Sequence, residues 1–170
     1  ISAGSTSMGV NQREATFSHD NEIAKAHYYS VEFTAGNAAN SRLEVAPTMH
    51  GAAVRFTFRD GAANRNVILD NVRSNGGVTF DAATQSFTAT SNHTGNGMKA
   101  MYVYGVSDNA YTSPATSGYA GMASFPGEDD VTLYVASSFI SPEQAKNNLQ
   151  IELAGKSLED VFEEAQAAWY

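Results

Sequence analysis

Apolar and polar residues alternate with a period of two over most of the chain. Tyr29, Val31 and Phe33 interleave with Ser30, Glu32 and Thr34, and Ala52, Val54, Phe56 and Phe58 interleave with Arg55, Thr57 and Arg59. That is the period of a strand with one buried face. Val67–Leu69, Gly77–Asp81, Gln85–Ser91 and Met98–Val106 continue the series. Val131–Ser138 is more continuously apolar, which predicts a strand covered on both faces. Gly36-Asn37, Asp60-Gly61, Asn75-Gly76-Gly77 and Gly95-Asn96-Gly97 lie between these runs and supply the backbone angles that turns require. Roughly eight or nine short strands at this spacing predict a mainly β fold, an antiparallel β-sandwich. Val31, Phe33, Val54, Phe56, Leu133 and Val135 are expected to share its core.

The period changes after residue 138. Ser141-Pro142-Glu143-Gln144 offers a capping serine, a proline at the first helical position and a glutamine at the capping-box position. The helix it starts is expected to run to about Leu153, with Gly155 placed to stop it. Ser157 opens a second helix, in which Leu158, Val161, Phe162, Ala165 and Trp169 form one stripe and Glu159, Asp160, Glu163, Glu164 and Gln166 the opposite face. An apolar stripe that reaches Trp169 at the end of the chain wants a surface to pack on. Residues 1–138 therefore read as the sandwich and 139–170 as a helical linker.

Composition narrows the function. A chain of 170 residues, 42% hydrophobic and 16% charged, fits one folded domain and is neither disordered nor membrane-spanning. The absence of cysteine excludes disulfides, thiolate metal sites and cysteine nucleophiles. The net charge of −8 is concentrated in residues 128–170, which carry two basic and nine acidic residues. Nucleic acid and anionic membranes are poor partners for such a surface. The first residues have neither the basic start nor the apolar stretch of a secretory signal, and no initiator Met, so the chain reads as a processed or excised piece. Asn92-His93-Thr94 matches the glycosylation triplet.

Little in the sequence speaks for catalysis. His19, His27, His50 and His93 fall on separate segments without metal-ligand spacing, and no nucleophile elbow, P-loop or dinucleotide fingerprint occurs. Asp129-Asp130 and Glu163-Glu164 are adjacent pairs on single elements, unable to straddle a glycosidic bond, and read as surface charge. Phe17-Ser18-His19-Asp20-Asn21-Glu22 stands out by placing an imidazole and two carboxylates just ahead of a strand. Tyr29, Tyr102 and Tyr104 lie in strand runs and are expected in the core, whereas Tyr111 and Tyr119 are expected to be exposed.

Several of these segments resemble the amino-terminal domain of glycoside hydrolase family 92. Phe17-Ser18-His19 with Glu22 and Ala24, then Tyr28-Tyr29-Ser30-Val31, resembles the entry to that domain's central strands, and Arg55-Phe56-Thr57-Phe58 is similar to the next. Ser138-Phe139-Ile140-Ser141-Pro142-Glu143-Gln144-Ala145, Asn148-Leu149, Glu152, and finally Ala165 and Trp169 resemble its closing helices. The resemblance implies a galactose-mutarotase-like supersandwich joined by helices to an (α/α)6 barrel, with residues 1–138 an incomplete amino-terminal domain that lacks the family's preceding Gly-rich stretches. It also implies a parent enzyme that is a calcium-dependent, inverting, exo-acting α-mannosidase on mannose-containing glycans, secreted or in the periplasm or cell envelope. The catalytic acid, the base and the calcium belong to the barrel, so the resemblance implies no catalytic residue, metal ligand or cofactor in this chain. His19 and Glu22 are then candidate substrate-binding residues at the domain interface, and Phe162 and Trp169 candidate interdomain packing residues.

The chain departs from the family pattern at Ala26-His27, where Pro-Gly is common, and over Glu44–His50. Pro47 cannot donate to a ladder, so its strand is expected at an edge or to end there. A free-standing carbohydrate-binding sandwich and a purely structural domain are the rival readings.

Overall fold

The computed structural model describes residues 2–3, 5–58, 64–70, 76–92 and 100–170. The expected turns at Asp60-Gly61 and Gly95-Asn96-Gly97, together with Asn75, His93, Thr94 and Met98, lie outside them. The chain runs β1 (Ser2–Ala3), β2 (Ala15–Lys25), β3 (Tyr28–Gly36), β4 (Arg42–Pro47), β5 (Gly51–Thr57), β6 (Asn66–Asp70), β7 (Gly76–Asp81), β8 (Ser86–Ser91), β9 (Met101–Ser107), β10 (Thr112–Ser117), β11 (Ala120–Ser124) and β12 (Asp130–Ser138), then α1 (Pro142–Glu152) and α2 (Leu158–Trp169). The strands form an antiparallel four-stranded sheet, β1-β6-β11-β10, and an antiparallel eight-stranded sheet, β2-β3-β4-β5-β12-β9-β8-β7.

Two cores result, one on each face of the larger sheet. Between the sheets, Val54, Phe56, Phe58, Val67, Leu69, Phe87, Phe125, Val131 and Leu133 are buried together, with Val135 packed against them. Val31 is buried outside this cluster, and Phe33, near the edge of the sheet, is only half buried, so the expected six-residue core holds for four. On the other face, Ala46, Ala53 and Ala136 are fully buried beneath Leu149, Leu153, Leu158 and Val161 of the helical segment. Their small side chains let the helices approach the sheet closely. β12 thus touches a core on each face, which explains its unbroken apolar run. Gly105 of β9 is required by the first core, since a Cβ there would collide with the Phe87 ring.

β4 lies between β3 and β5 and is not an edge strand. It does end at Pro47, which pairs with Ala52 of β5 but lies beyond the last residue paired with β3, so no ladder bond needs its missing N–H. Tyr111 is also unlike its expectation. It is buried between Phe80 and Phe125, and its hydroxyl donates to the Ser86 carbonyl at 2.7 Å. Tyr119 is exposed, and Tyr102 and Tyr104 are half buried.

Both helices start where the capping residues lie. Ser141 accepts from the Gln144 N–H, while the Gln144 side chain donates to Asn148 rather than back to the cap. Ser157 and Asp160 form a reciprocal capping box. Gly155, at φ +75°, takes the left-handed conformation between the helices. Among the described residues no helix is long and apolar enough to cross a membrane.

Polar groups fix the helices to the sheet. Buried Glu44 accepts from Tyr28 Oη at 2.6 Å and Arg55 Nε at 3.0 Å, and Arg55 Nη1 reaches Glu159 of α2 at 2.7 Å. Burial alone would raise the Glu44 carboxyl, but Arg55 and Tyr28 outweigh it and hold it below its usual range. Glu152, at the end of α1, accepts from the His50 backbone N–H at 2.9 Å and lies 2.5 Å from His50 Nδ1. Its burial likewise opposes ionisation, and bonds from Thr48 and His50 win, lowering its pKa. A carboxyl depressed in the folded state stabilises above its unfolded pKa, and that contribution disappears as pH falls through the folded value. Acidification from about pH 5 to about pH 3 should therefore lower the urea midpoint more in the wild type than in Glu152→Gln. Equal losses in the two proteins would contradict this role for Glu152.

Candidate functional site

β2 is an edge of the larger sheet, paired only with β3 among the described residues. Phe17 pairs with Phe33 and Glu22 with Val31, so five steps along β2 oppose two along β3. The surplus lifts Ser18–Asn21 off the ladder as a bulge within the strand, not a loop ahead of it. Because Glu22 is opposite Val31, Tyr29 two residues along β3 is its diagonal neighbour on the same face.

This register brings three titratable groups together. Tyr29 Oη donates to Glu22 Oε1 at 2.6 Å, and His19 Nδ1 lies 2.6 Å from Glu22 Oε2. The His19 side chain is 86% exposed and that of Glu22 only 18%. The Tyr29 bond, and after it the His19 bond, lowers the Glu22 pKa against a smaller opposing effect of burial. The same bond to Glu22, followed by burial, raises the Tyr29 phenol. Phe17, itself 42% exposed, meets the imidazole edge to face at 5.5 Å between ring centres. The bulge is stiffened by the Asp20 N–H, which donates to Ser18 Oγ. The arrangement can hold an imidazole in one orientation at the surface, beside an aromatic ring.

His19 and Glu22 are thus brought together, outside the inter-sheet core. Asp20, the other carboxylate of the segment, is exposed. Tyr29 was expected in the core; its phenol instead serves Glu22. The signal that could have found it is the strand register, which depends on the size of the bulge.

The apolar stripe of α2 divides. Leu158 and Val161 are buried on the sheet, and Phe162 packs inward on Tyr28 and His27 at 5.3 and 5.4 Å between ring centres. The Phe162 ring is therefore engaged within this chain. Trp169 is 65% exposed and lines a groove of about 600 Å³ with Met49, Ile151, Ala165 and Ala168. Asp129, Asp130, Glu163 and Glu164 are all exposed. Among the described residues no group of three or more His, Asp or Glu is placed to hold a metal ion.

The model of the glycosyl hydrolase family 92 N-terminal domain matches residues 1–152. A family 92 inverting mannosidase from Bacteroides thetaiotaomicron superposes with a TM-score of 0.86 at 23% identity, over 98% of this chain and 25% of its own. A family 92 α-mannosidase from the same organism, solved in complex with mannoimidazole, gives 0.72 at 21% identity, over 91% of this chain and 24% of its own. A further family 92 glycosyl hydrolase gives 0.79 at 20% identity, over 99% and 26%. The chain therefore spans about a quarter of the length of these solved structures. No curated protein matches it.

Proposed function

The chain belongs to the amino-terminal domain family of glycosyl hydrolase family 92, and on that premise we propose that it is the non-catalytic wall of an exo-acting, inverting α-mannosidase that trims mannose from glycans. The observation that carries this reading is the family match over residues 1–152, joined to neighbours whose names are mannosidases and whose chains extend far beyond the region shared with this one. In this reading residues 1–138 form the sandwich, and 139–170 lead towards an (α/α)6 barrel that carries the acid, the base and the calcium. The parent enzyme works outside the cytoplasm, in the periplasm, on the cell envelope or as a secreted protein.

In this reading each surface of the chain has a role. Trp169, with Met49 and Ile151, offers apolar area to the barrel, while Phe162 supports α2 from below. His19 and Glu22 face the sugar side of the interface from the β2 bulge. In this reading the calcium belongs to the barrel; among the described residues no group of three or more His, Asp or Glu is placed to hold a metal ion. The test is kinetic. In an enzyme comprising this chain and the barrel, His19→Ala should lower kcat/KM for an aryl α-mannoside by about tenfold or more without altering the anomeric product. An unchanged kcat/KM would remove His19 from the site.

A further inference from the structure

We infer that Tyr29 is the positioning residue of a Tyr29–Glu22–His19 relay, which holds His19 in the Nδ1–H form and turns the Nε2 lone pair outward to accept a hydrogen bond from a glycan hydroxyl.

The relay half of the inference rests on geometry. An ionised carboxylate has no proton to donate, so at 2.6 Å from Glu22 Oε2 the His19 Nδ1 must be the donor. A neutral imidazole with its proton on Nδ1 keeps a lone pair on Nε2. Glu22 is itself held at its other oxygen by Tyr29 Oη, also at 2.6 Å, which fixes the carboxylate plane and therefore the ring. The phenol comes from β3, inside the sheet, whereas His19 stands on the bulge. Thus the rigid ladder, through Tyr29 and Glu22, orients a side chain that is otherwise 86% exposed and would sample several rotamers.

The ligand half rests on the mannosidase reading and on what surrounds Nε2. The exposed Phe17 ring stands edge to face with the imidazole, and residues 17–22 include Ser18 and Asn21 but no Lys or Arg. An aromatic face for sugar C–H groups beside a neutral acceptor suits a hydroxyl-bearing ring. An anionic ligand would find no cation in this segment and two carboxylates, Asp20 and Glu22.

Ring nitrogen-15 NMR of the 170-residue chain, at about pH 8.5 where ordinary imidazoles are neutral, tests both halves. The expected result is a preference of about tenfold or more for Nδ1–H at His19. In Tyr29→Phe, and independently in Glu22→Gln, the ring should return to the mixture of free imidazole, in which Nε2–H prevails. Amide spectra establish that each variant is folded, and two variants acting on different atoms guard against loss of either one. Methyl α-mannoside should then shift the wild-type Nε2 resonance and leave that of Tyr29→Phe much less affected. An Nε2–H wild type, or a tautomer unmoved in both folded variants, would overturn the relay whatever the activity of the enzyme. A locked Nδ1–H form with no response to the sugar would overturn the assignment of the ligand alone.

Discussion

Phe56→Ala should destabilise the chain by about 3–5 kcal/mol, the range for truncating a buried phenylalanine. Phe56 is 2% exposed and lies at the centre of the larger sheet, opposite Leu43 of β4 and Val131 of β12. Its ring joins the cluster between the sheets, so removal opens a void that neither rigid ladder can close. With a denaturant slope of roughly 2 kcal/mol per molar urea, the unfolding midpoint should fall by about 1.5–2.5 M. Phe139→Ala, at a half-exposed ring, serves as the control and should cost far less. A Phe56→Ala midpoint equal to that of the wild type would contradict the placement of β5 in the core.

Strands with one clean buried face were legible from alternation. β5 shows why: Val54 and Phe56 meet the core between the sheets, and the residues that alternate with them are the small Ala53 under the helices and the charged Arg55. The helices were legible from Ser141-Pro142 and Ser157, because capping is local chemistry that depends on no distant partner. Edge elements were not. β2 has a burial pattern without period two, since the bulge at Ser18–Asn21 resets its phase, and β10 is exposed along nearly its whole length and contains Pro114. Neither leaves an apolar signature. Tyr111 was misjudged because a Gly/Ser/Pro-rich setting speaks for the backbone around it, while its burial comes from Phe80 and Phe125, distant in sequence. The pairing of His19 with Glu22 was visible as a short cluster, but Tyr29 entered only once the register with β3 was known.

Hydrolysis by this chain alone should be undetectable. Inversion needs a general acid and a general base on opposite faces of the sugar, about 6.5–9.5 Å apart with a water between. Among the described residues, the carboxylates that stand out are committed elsewhere or poorly placed. Glu22 is held ionised by Tyr29 and His19, which disqualifies it as an acid, and Glu44 is buried against Arg55 and Tyr28. Asp129-Asp130 and Glu163-Glu164 are adjacent exposed residues, the first pair at the start of β12 and the second on α2. In the proposed reading the acid and base lie outside this chain, and their loss removes most of a rate enhancement that reaches at least about a millionfold for enzymes in general, so the expected effect is all or none.

The most direct test incubates purified residues 1–170 with an aryl α-mannoside or mannobiose, with calcium or a chelator, beside the same chain joined to the upstream segment and the barrel of a family 92 mannosidase. No mannose release is expected from the chain alone under either condition, and chelator-sensitive release is expected from the joined protein. Turnover by the chain alone, in a preparation free of contaminating mannosidase, would contradict the non-catalytic reading.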